Sequence, residues 1–334
     1  MKFIRVLLFP IVPIYYFVTW LRNALYDLGY KTSKSYTFPT ICVGNLSAGG
    51  TGKTPMVEYL IRLLKQDYNV ATLSRGYGRN TNGFVLATKN ATAQSIGDEP
   101  FQFYNKFKNE VKIAVDENRR NGILKLRNLE KQPNLIILDD AFQHRKVKAK
   151  LNILLTTYSN LYTNDIVLPT GNLREPKAGA KRAQIIVVTK CPKDLSNEKK
   201  KSIEVKIKPE TYQALFFSSI KYNDEVVGIE KKIALRELKK FTLVTGIANA
   251  EPLVNYLKNK GLDFNHLEYS DHHNFSTKEI ETVSKSEMIV TTEKDYVRLN
   301  VEKILRDKLY YLPIEIVVDK PKVFNQLVKS TFAN

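Results

Sequence analysis

The sequence predicts an α/β fold: a buried parallel sheet covered on both faces, followed by a smaller α/β domain. Three observations predict it. Short continuous apolar runs such as Leu135–Leu138, Leu151–Leu155 and Ile185–Thr189 suit strands with no solvent-facing side. Amphipathic stretches of helical length alternate with these runs, as in βαβ units. A glycine-rich turn joins the strand Thr40–Val43 to the amphipathic run Pro55–Gln66.

The remaining elements follow in order. Val70–Leu73 reads as a strand, Glu99–Phe107 as a helix, Val111–Val115 as a strand and Asn118–Leu129 as a helix. Lysine dominates Lys190–Lys208, which suits a solvated helix or loop. Between Tyr212 and Val227, aromatic and β-branched residues interleave with polar ones, the pattern of a hairpin. A second series follows: strand Phe241–Thr245, helix Glu251–Lys260, a strand ending near Tyr269, a helix near Lys278–Lys285 and strand Met288–Thr292. The run Leu312–Val318 is expected as one last strand before a terminal helix. The organisation predicted is an N-terminal region over residues 1–35, the sheet domain over 36–210, a β-hairpin linker over 211–228 and the smaller domain over 229–334.

Composition narrows the class. Apolar residues make up 43% of the 334, a globular balance that excludes collagen-like, mucin-like and wholly disordered chains. Against 34 acids stand 52 Lys and Arg, leaving +18, which implies a polyanionic environment: nucleic acid, anionic lipid or a phosphorylated substrate. The lysines are scattered and no nucleic-acid-binding motif is present, so nucleic acid is not an expected partner. Cys42 and Cys191 stand far apart without neighbouring ligands, which excludes a disulfide framework or structural zinc site and suits a reducing compartment.

Near the amino terminus, Phe3–Trp20 is strongly apolar but interrupted by Arg5, Pro10 and Pro13. Its unbroken part is shorter than the ~20 residues of a spanning helix, and no cleavage site of the secretory kind follows. Basic flanks (Lys2, Arg5, Arg22, Lys31, Lys34) and the rings of Tyr15, Tyr16 and Trp20 fit a helix lying on a membrane surface. The alternative is a terminal helix packed on the core.

The most informative string is Gly44-Asn-Leu-Ser-Ala-Gly-Gly-Thr-Gly-Lys-Thr54, between strand and helix. Gly49, Gly50 and Gly52, with Thr51 among them, allow a tight turn whose backbone N–H groups aim at phosphate oxygens. Lys53 is placed to reach the outer phosphates of a nucleotide and Thr54 to offer its hydroxyl to Mg²⁺. Ser47 stands where the usual pattern has its first glycine. An apolar strand ending in acids completes the pair: Leu135-Ile-Ile-Leu-Asp-Asp140 carries Asp139 and Asp140 to the edge where open α/β sheets bind ligands. Together these predict a P-loop NTPase-like sheet domain. In Thr189-Lys-Cys-Pro-Lys-Asp194, Pro192 replaces the aspartate of a guanine-reading motif, which favours ATP.

Further strings share this chain in a fixed order: Ser74-Arg-Gly-Tyr-Gly-Arg79, Gly97-Asp-Glu-Pro100, Asp139-Asp-Ala-Phe-Gln-His144, Leu173-Arg-Glu-Pro176, Asp271-His-His273 and Thr291-Thr-Glu-Lys-Asp295. With the phosphate loop, they resemble the tetraacyldisaccharide 4′-kinase family of lipid A biosynthesis, over the chain from the terminal helix through Asp295. Ala141 departs from the glycine usual there. The resemblance implies ATP-dependent phosphorylation of the 4′-hydroxyl of an acylated glucosamine disaccharide 1-phosphate, at the cytoplasmic face of the inner membrane, by a peripheral enzyme.

It also implies roles. Asp98 resembles the family's catalytic aspartate and His272 the histidine that pairs with it, with His273 the alternative; read alone, Gly97–Pro100 is a helix start with Asp98 near the cap. Mg²⁺ is expected at Thr54, with Gln143 and Glu175 as further oxygen ligands. Asp139 is expected to hold the metal's water or Lys53, with Asp140 beside it, and Arg174 to bind phosphate or the substrate's charge. Arg75, Tyr77 and Arg79 are candidates to grip the sugar or its 1-phosphate, against a reading as a surface turn. His144 is a candidate for substrate or phosphate contact, or a structural histidine. Thr291–Asp295 has no chemistry assigned. A competing reading is a P-loop ATPase or metallochaperone that drives a partner protein.

Overall fold

The computed structural model describes residue 5, residues 7–271 and residues 273–332. The chain opens with a 3₁₀ turn, Phe9–Ile11, and helix α1, Val12–Asp27. Then come β1 (Thr40–Asn45), α2 (Lys53–Leu64), β2 (Val70–Ser74), β3 (Val85–Leu86), α3 (Ala93–Ile96), α4 (Asp98–Phe107), β4 (Lys112–Val115) and α5 (Arg119–Arg127). β5 (Leu135–Asp139), β6 (Leu151–Thr157), β7 (Ile185–Thr189), α6 (Asn197–Ile207) and β8 (Ala214–Tyr222) follow. The second series is β9 (Glu225–Val227), β10 (Lys232–Ala234), β11 (Phe241–Thr245), α7 (Glu251–Asn259), β12 (Phe264–Glu268), α8 (Thr277–Ser284), β13 (Ile289–Thr292) and α9 (Glu293–Leu299). β14 (Leu309–Leu312), β15 (Ile314–Val318) and α10 (Pro321–Ser330) end it.

Among the described residues the strands form two sheets. The larger runs β15-β8-β7-β6-β1-β5-β2-β4-β3 and is parallel except for its two edge strands. Every residue of β1, β5 and β7 is buried: apolar stretches fill the strands, and the polar Thr40, Asn45, Asp139 and Thr189 stand at their ends. Alternation along β1 sends Ile41 and Val43 into one core, with Leu60, Phe103 and Phe324. Cys42 enters the other, with Leu73, Ile123 and Leu154. β1 lies between β5 and β6, so the strand order reverses there and opens a crevice at the carboxyl ends. Val43 pairs with Asp139, which sets the acids of β5 beside the loop leaving β1.

The smaller sheet runs β10-β9-β14-β13-β11-β12, with its core at Leu243, Leu253, Val290 and Tyr310. Two expectations need correction. Tyr212–Val227 is not a hairpin: β8 joins the large sheet and β9 pairs with β10 and β14 in the small one. The last apolar run is two strands in different sheets, broken at Pro313, which has no N–H to continue a ladder. β15 and α10 therefore leave the predicted 229–334 unit and complete the large sheet. Phe324 of α10 is fully buried, its ring 5.2 Å from Phe216 and 5.6 Å from Tyr59.

Candidate active site

The phosphate loop needs its glycine at position 52. Gly52 caps α2 in the left-handed region, at φ +84°, which a side chain would strain. The turn is pinned from β7, where Thr189 Oγ1 donates to the Thr51 carbonyl at 2.8 Å. Gly49 is also left-handed, and Gly50 packs near β7's end: a Cβ there would lie 3.9 Å from Lys190 Nζ. The amide ends of α2 face the crevice, a setting favourable to anions. Thr54 is half-buried in its first turn.

Charge gathers around this loop. Lys53 Nζ lies 3.6 Å from Asp140 Oδ1, and Arg174 Nη1 reaches both Asp140 oxygens at 3.0 and 3.1 Å. Asp140 takes the left-handed conformation, φ +47°, and Ala141 does not, so the alanine at 141 fits this turn. Burial opposes ionisation of Asp140, but Lys53 and Arg174 outweigh it and hold the carboxyl below its usual range. Asp139 behaves oppositely: burial, then the neighbouring Asp140 charge, pushes it up to about 7. Asp139 Oδ1, Thr51 Oγ1 and Asn45 Oδ1 are buried without a hydrogen-bond partner. Unpaired buried oxygens are costly, and three beside a phosphate loop suit a ligand that brings positive charge or donors, such as a hydrated divalent cation.

Gln143 and Glu175 come together but are engaged. Gln143 Nε2 donates to the Asn45 carbonyl at 2.8 Å and to Glu175 Oε1 at 2.9 Å. Glu175 also accepts from Arg182 at 2.7 Å and from Asn23 of α1 at 2.6 Å. His144 is hemmed by cations: burial, then Arg119, Lys146, Arg22 and Arg75, push it down to about 4. It is neutral near pH 7, a hydrogen-bonding group and not a cation.

The Ser74–Arg79 loop packs on the start of α4. A Cβ on Gly97, at φ +93°, would come within 2.9 Å of the Tyr77 carbonyl oxygen, so this close approach requires glycine. Arg75 and Tyr77 are exposed on the loop, whereas Arg79 turns inward to Glu117 and the Gly83 carbonyl. The N-cap of α4 is Gly97 with no side-chain cap, so Asp98 does not serve as one. Asp98 Oδ2 instead accepts from Arg298 Nε of α9 at 2.9 Å. His272 lies outside the described residues. The alternative, His273, is held by Glu279 at 3.0 Å and stacked on Tyr269.

Three cations escaped the sequence reading. Lys190 stands in the string weighed for base specificity and heads the lysine-rich stretch read as a solvated segment. Arg119, buried at the start of α5, donates to the Asp116 carbonyl at 2.9 Å, and nothing around it in sequence marks it. Arg182 lies in a 3₁₀ turn and packs its guanidinium 4.6 Å from the Phe142 ring centroid.

Comparison with known proteins accounts for nearly the whole chain. The family described as tetraacyldisaccharide-1-P 4′-kinase matches residues 4–333. A tetraacyldisaccharide 4′-kinase of Flavobacterium johnsoniae is 51% identical over 320 residues, covering 94% of this chain and 93% of its own. One from Bacteroides thetaiotaomicron is 44% identical, over 96% and 91% of the two chains. A crystal structure of LpxK from Aquifex aeolicus in complex with ATP superposes with a TM-score of 0.79 at 29% identity, covering 99% of this chain and 100% of that one. The chain belongs to the tetraacyldisaccharide 4′-kinase family.

Proposed function

We propose that this ATP-dependent kinase of lipid A synthesis works at a membrane surface, with the nucleotide's phosphates on the loop Gly49–Thr54 and Asp98 receiving the proton of the sugar 4′-hydroxyl. The acceptor is an acylated glucosamine disaccharide 1-phosphate, and the membrane face is the cytoplasmic side of the inner membrane. The observation that carries the reading is the half-satisfied polar cluster at the switch point. Lys53, Asp140 and Arg174 form a charge network, and the unpaired oxygens of Thr51 and Asp139 lie beside it. Such a site binds phosphate oxygens and a cation in place of water.

Lys53 and Arg174 compensate phosphate charge, which requires that they turn from Asp140 toward the nucleotide. Mg²⁺, when bound, neutralises charge on the phosphates; Thr54 and Asp139 are the oxygens that would hold it. Gln143 would ligate through Oε1, since its Nε2 is the donor in the 2.9 Å hydrogen bond to Glu175; Glu175, which accepts from Gln143, Arg182 and Asn23, would join by releasing one of these donors. His144 offers a neutral ring to substrate or phosphate. Arg75 and Tyr77, exposed beside Asp98, meet the sugar or its 1-phosphate; Arg79 shapes their loop. His272 completes the base with Asp98.

Helix α1 brings the membrane to this site. Phe9, Ile14, Phe17, Val18 and Trp20 are exposed at 47–65%, an apolar surface that water does not favour. No helix of the described residues is long and apolar enough to cross a membrane. The other side of α1 is fastened to the site: Tyr15 Oη donates to the Arg174 carbonyl at 3.0 Å, and Arg22 to that of Gln143. Acyl chains at the surface would thus lie next to the nucleotide-binding residues.

The test uses γ-labelled ATP with tetraacyldisaccharide 1-phosphate in detergent micelles, resolved by thin-layer chromatography. Label on the lipid supports the reading. Lipid-independent release of labelled phosphate would favour the ATPase alternative.

A further inference from the structure

The string Thr291–Asp295 has no role in the function proposed above, and its surroundings point to one. α4 presents Asp98, Gln102 and Lys106 four residues apart, hence on one helix face. That face meets α9. Glu293 accepts from Gln102 Nε2 and Lys106 Nζ, both at 2.7 Å, and Arg298 reaches Asp98 with Nε at 2.9 Å and also with Nη2. On the same face, Glu58 of the phosphate-loop helix takes the same two donors at 3.0 and 2.7 Å. The helix bearing Asp98 is therefore tied to both α2 and α9.

The start of α9 is itself fixed. Thr292 Oγ1 accepts from the Asp295 amide at 3.2 Å as a cap and donates to Asp295 Oδ2 at 2.7 Å. The Gly246 amide, at the end of β11, donates to the same oxygen at 2.9 Å. Asp295 is fully buried and lies 3.8 Å from Arg298 Nη1. The guanidinium thus has an anchored anion on one side and Asp98 Oδ2 on the other.

We infer that Arg298 is a positioning residue for Asp98, and that Thr291–Asp295 holds α9 where that guanidinium reaches the carboxylate. A planar fork bonding one oxygen through two N–H groups restricts rotation of the carboxylate about its Cβ–Cγ bond. The carboxylate sits on the large-sheet unit and its orienting cation on the smaller one, so docking of the two units sets the geometry of proton acceptance. This inference rests on the reading of Asp98 as the base.

The experiment measures kcat, KM for ATP and for the lipid acceptor, and Tm, using the full chain with Mg-ATP and tetraacyldisaccharide 1-phosphate in micelles. The variants are Arg298→Ala, Arg298→Lys, Asp98→Ala and the Asp98→Ala/Arg298→Ala pair. Arg298→Ala is expected to lower kcat on the order of 10–10²-fold, the scale of a misplaced reacting group, with KM for ATP unchanged. Arg298→Lys, which keeps the charge and loses the fork, is expected to recover part of that loss, and it decides the matter should Arg298→Ala fail to fold. In the Asp98→Ala background, loss of Arg298 is expected to cost nothing further in kcat, which a merely structural role would not produce. Normal kcat in both Arg298 variants beside a crippled Asp98→Ala would overturn the inference and leave the base in place. Multiplicative losses in the pair would also overturn it. Normal kcat in Asp98→Ala would remove the base reading and this inference with it.

Discussion

Two buried polar clusters flank α2, and they differ in whether their partners are complete. At its amino end, Asp139 Oδ1, Thr51 Oγ1 and Asn45 Oδ1 are buried with no hydrogen bond. At its side, Glu58 and Glu293 are as deeply buried, yet Gln102 and Lys106 together serve all four carboxylate oxygens. Burying an unpaired polar group costs free energy that folding does not return, whereas a complete network is close to neutral. On the proposed reading, the incomplete cluster is where a ligand supplies the missing partners. The complete one marks a joint between structural units. Burial alone does not distinguish them.

That contrast breaks most readily at the phosphate loop. Lys53→Ala and Thr54→Ala are each expected to lower kcat by on the order of 10³-fold or more; Thr54→Ala should leave the apo Tm near wild type, and Lys53→Ala should lower it only modestly, because Asp140 keeps Arg174 as a partner. Steady-state kinetics beside thermal melts checks this. Near-normal turnover in both would remove the phosphate-loop assignment.

The joint predicts the converse. Lys106→Ala leaves two buried carboxylates facing each other without their shared cation, a loss of about 3–5 kcal/mol on the scale of broken buried ion pairs. Urea unfolding reads that value, and a change under about 1 kcal/mol would mean the network is solvated. The proposed membrane-facing surface of the amino-terminal segment supplies a smaller and separate effect. Replacing Phe9, Ile14 and Phe17 together by Glu should weaken binding to anionic vesicles more than tenfold, with each side chain worth about 1.5–3 kcal/mol when buried. Sedimentation with vesicles measures it. Point changes are preferable to truncation here, because α1 also fastens Arg174 and Glu175.

The smallest effect is in pH. Burial, and then the charge of Glu58, raises Glu293 to about 7. A carboxyl raised in the folded state binds its proton more tightly there. Its stabilising contribution is complete below about 4.5 and is lost as pH rises through 7. Glu293→Gln should remove up to one proton's share of that decline, a slope of about 1.4 kcal/mol per pH unit at most. Melts from pH 5 to pH 8 compare the slopes, and equal slopes would contradict the assignment.

How much of this was legible in sequence follows from how local each feature is. The phosphate loop occupies consecutive residues, and Gly52's conformation and the start of α2 follow from them. The apolar run ending in Asp139 declares both its burial and its exit at the sheet edge. Glu58, Gln102, Lys106 and Glu293 are charged or polar residues on amphipathic helices, indistinguishable in sequence from solvated faces; only the approach of two sheets buries them. Arg298 reaches Asp98 across 200 residues of chain. The run Leu312–Val318 reads as one strand because apolar residues lie on both sides of Pro313 and Glu315; Pro313 is the signal in it that the chain changes sheets. Glu175 is expected beside Gln143 as a metal ligand, but sequence does not reveal the Arg182 and Asn23 donors that hold it.

Thermal melts of Asp139→Asn and Lys106→Ala, each with and without saturating Mg-ATP at pH 8, test the contrast most directly. Asp139→Asn removes a buried charge that burial disfavours, so its apo Tm should equal or exceed wild type while the ATP-induced rise in Tm largely disappears. Lys106→Ala should melt well below wild type and keep that rise. A full ATP response in Asp139→Asn, or a lost one in Lys106→Ala at an unchanged apo Tm, would contradict the account.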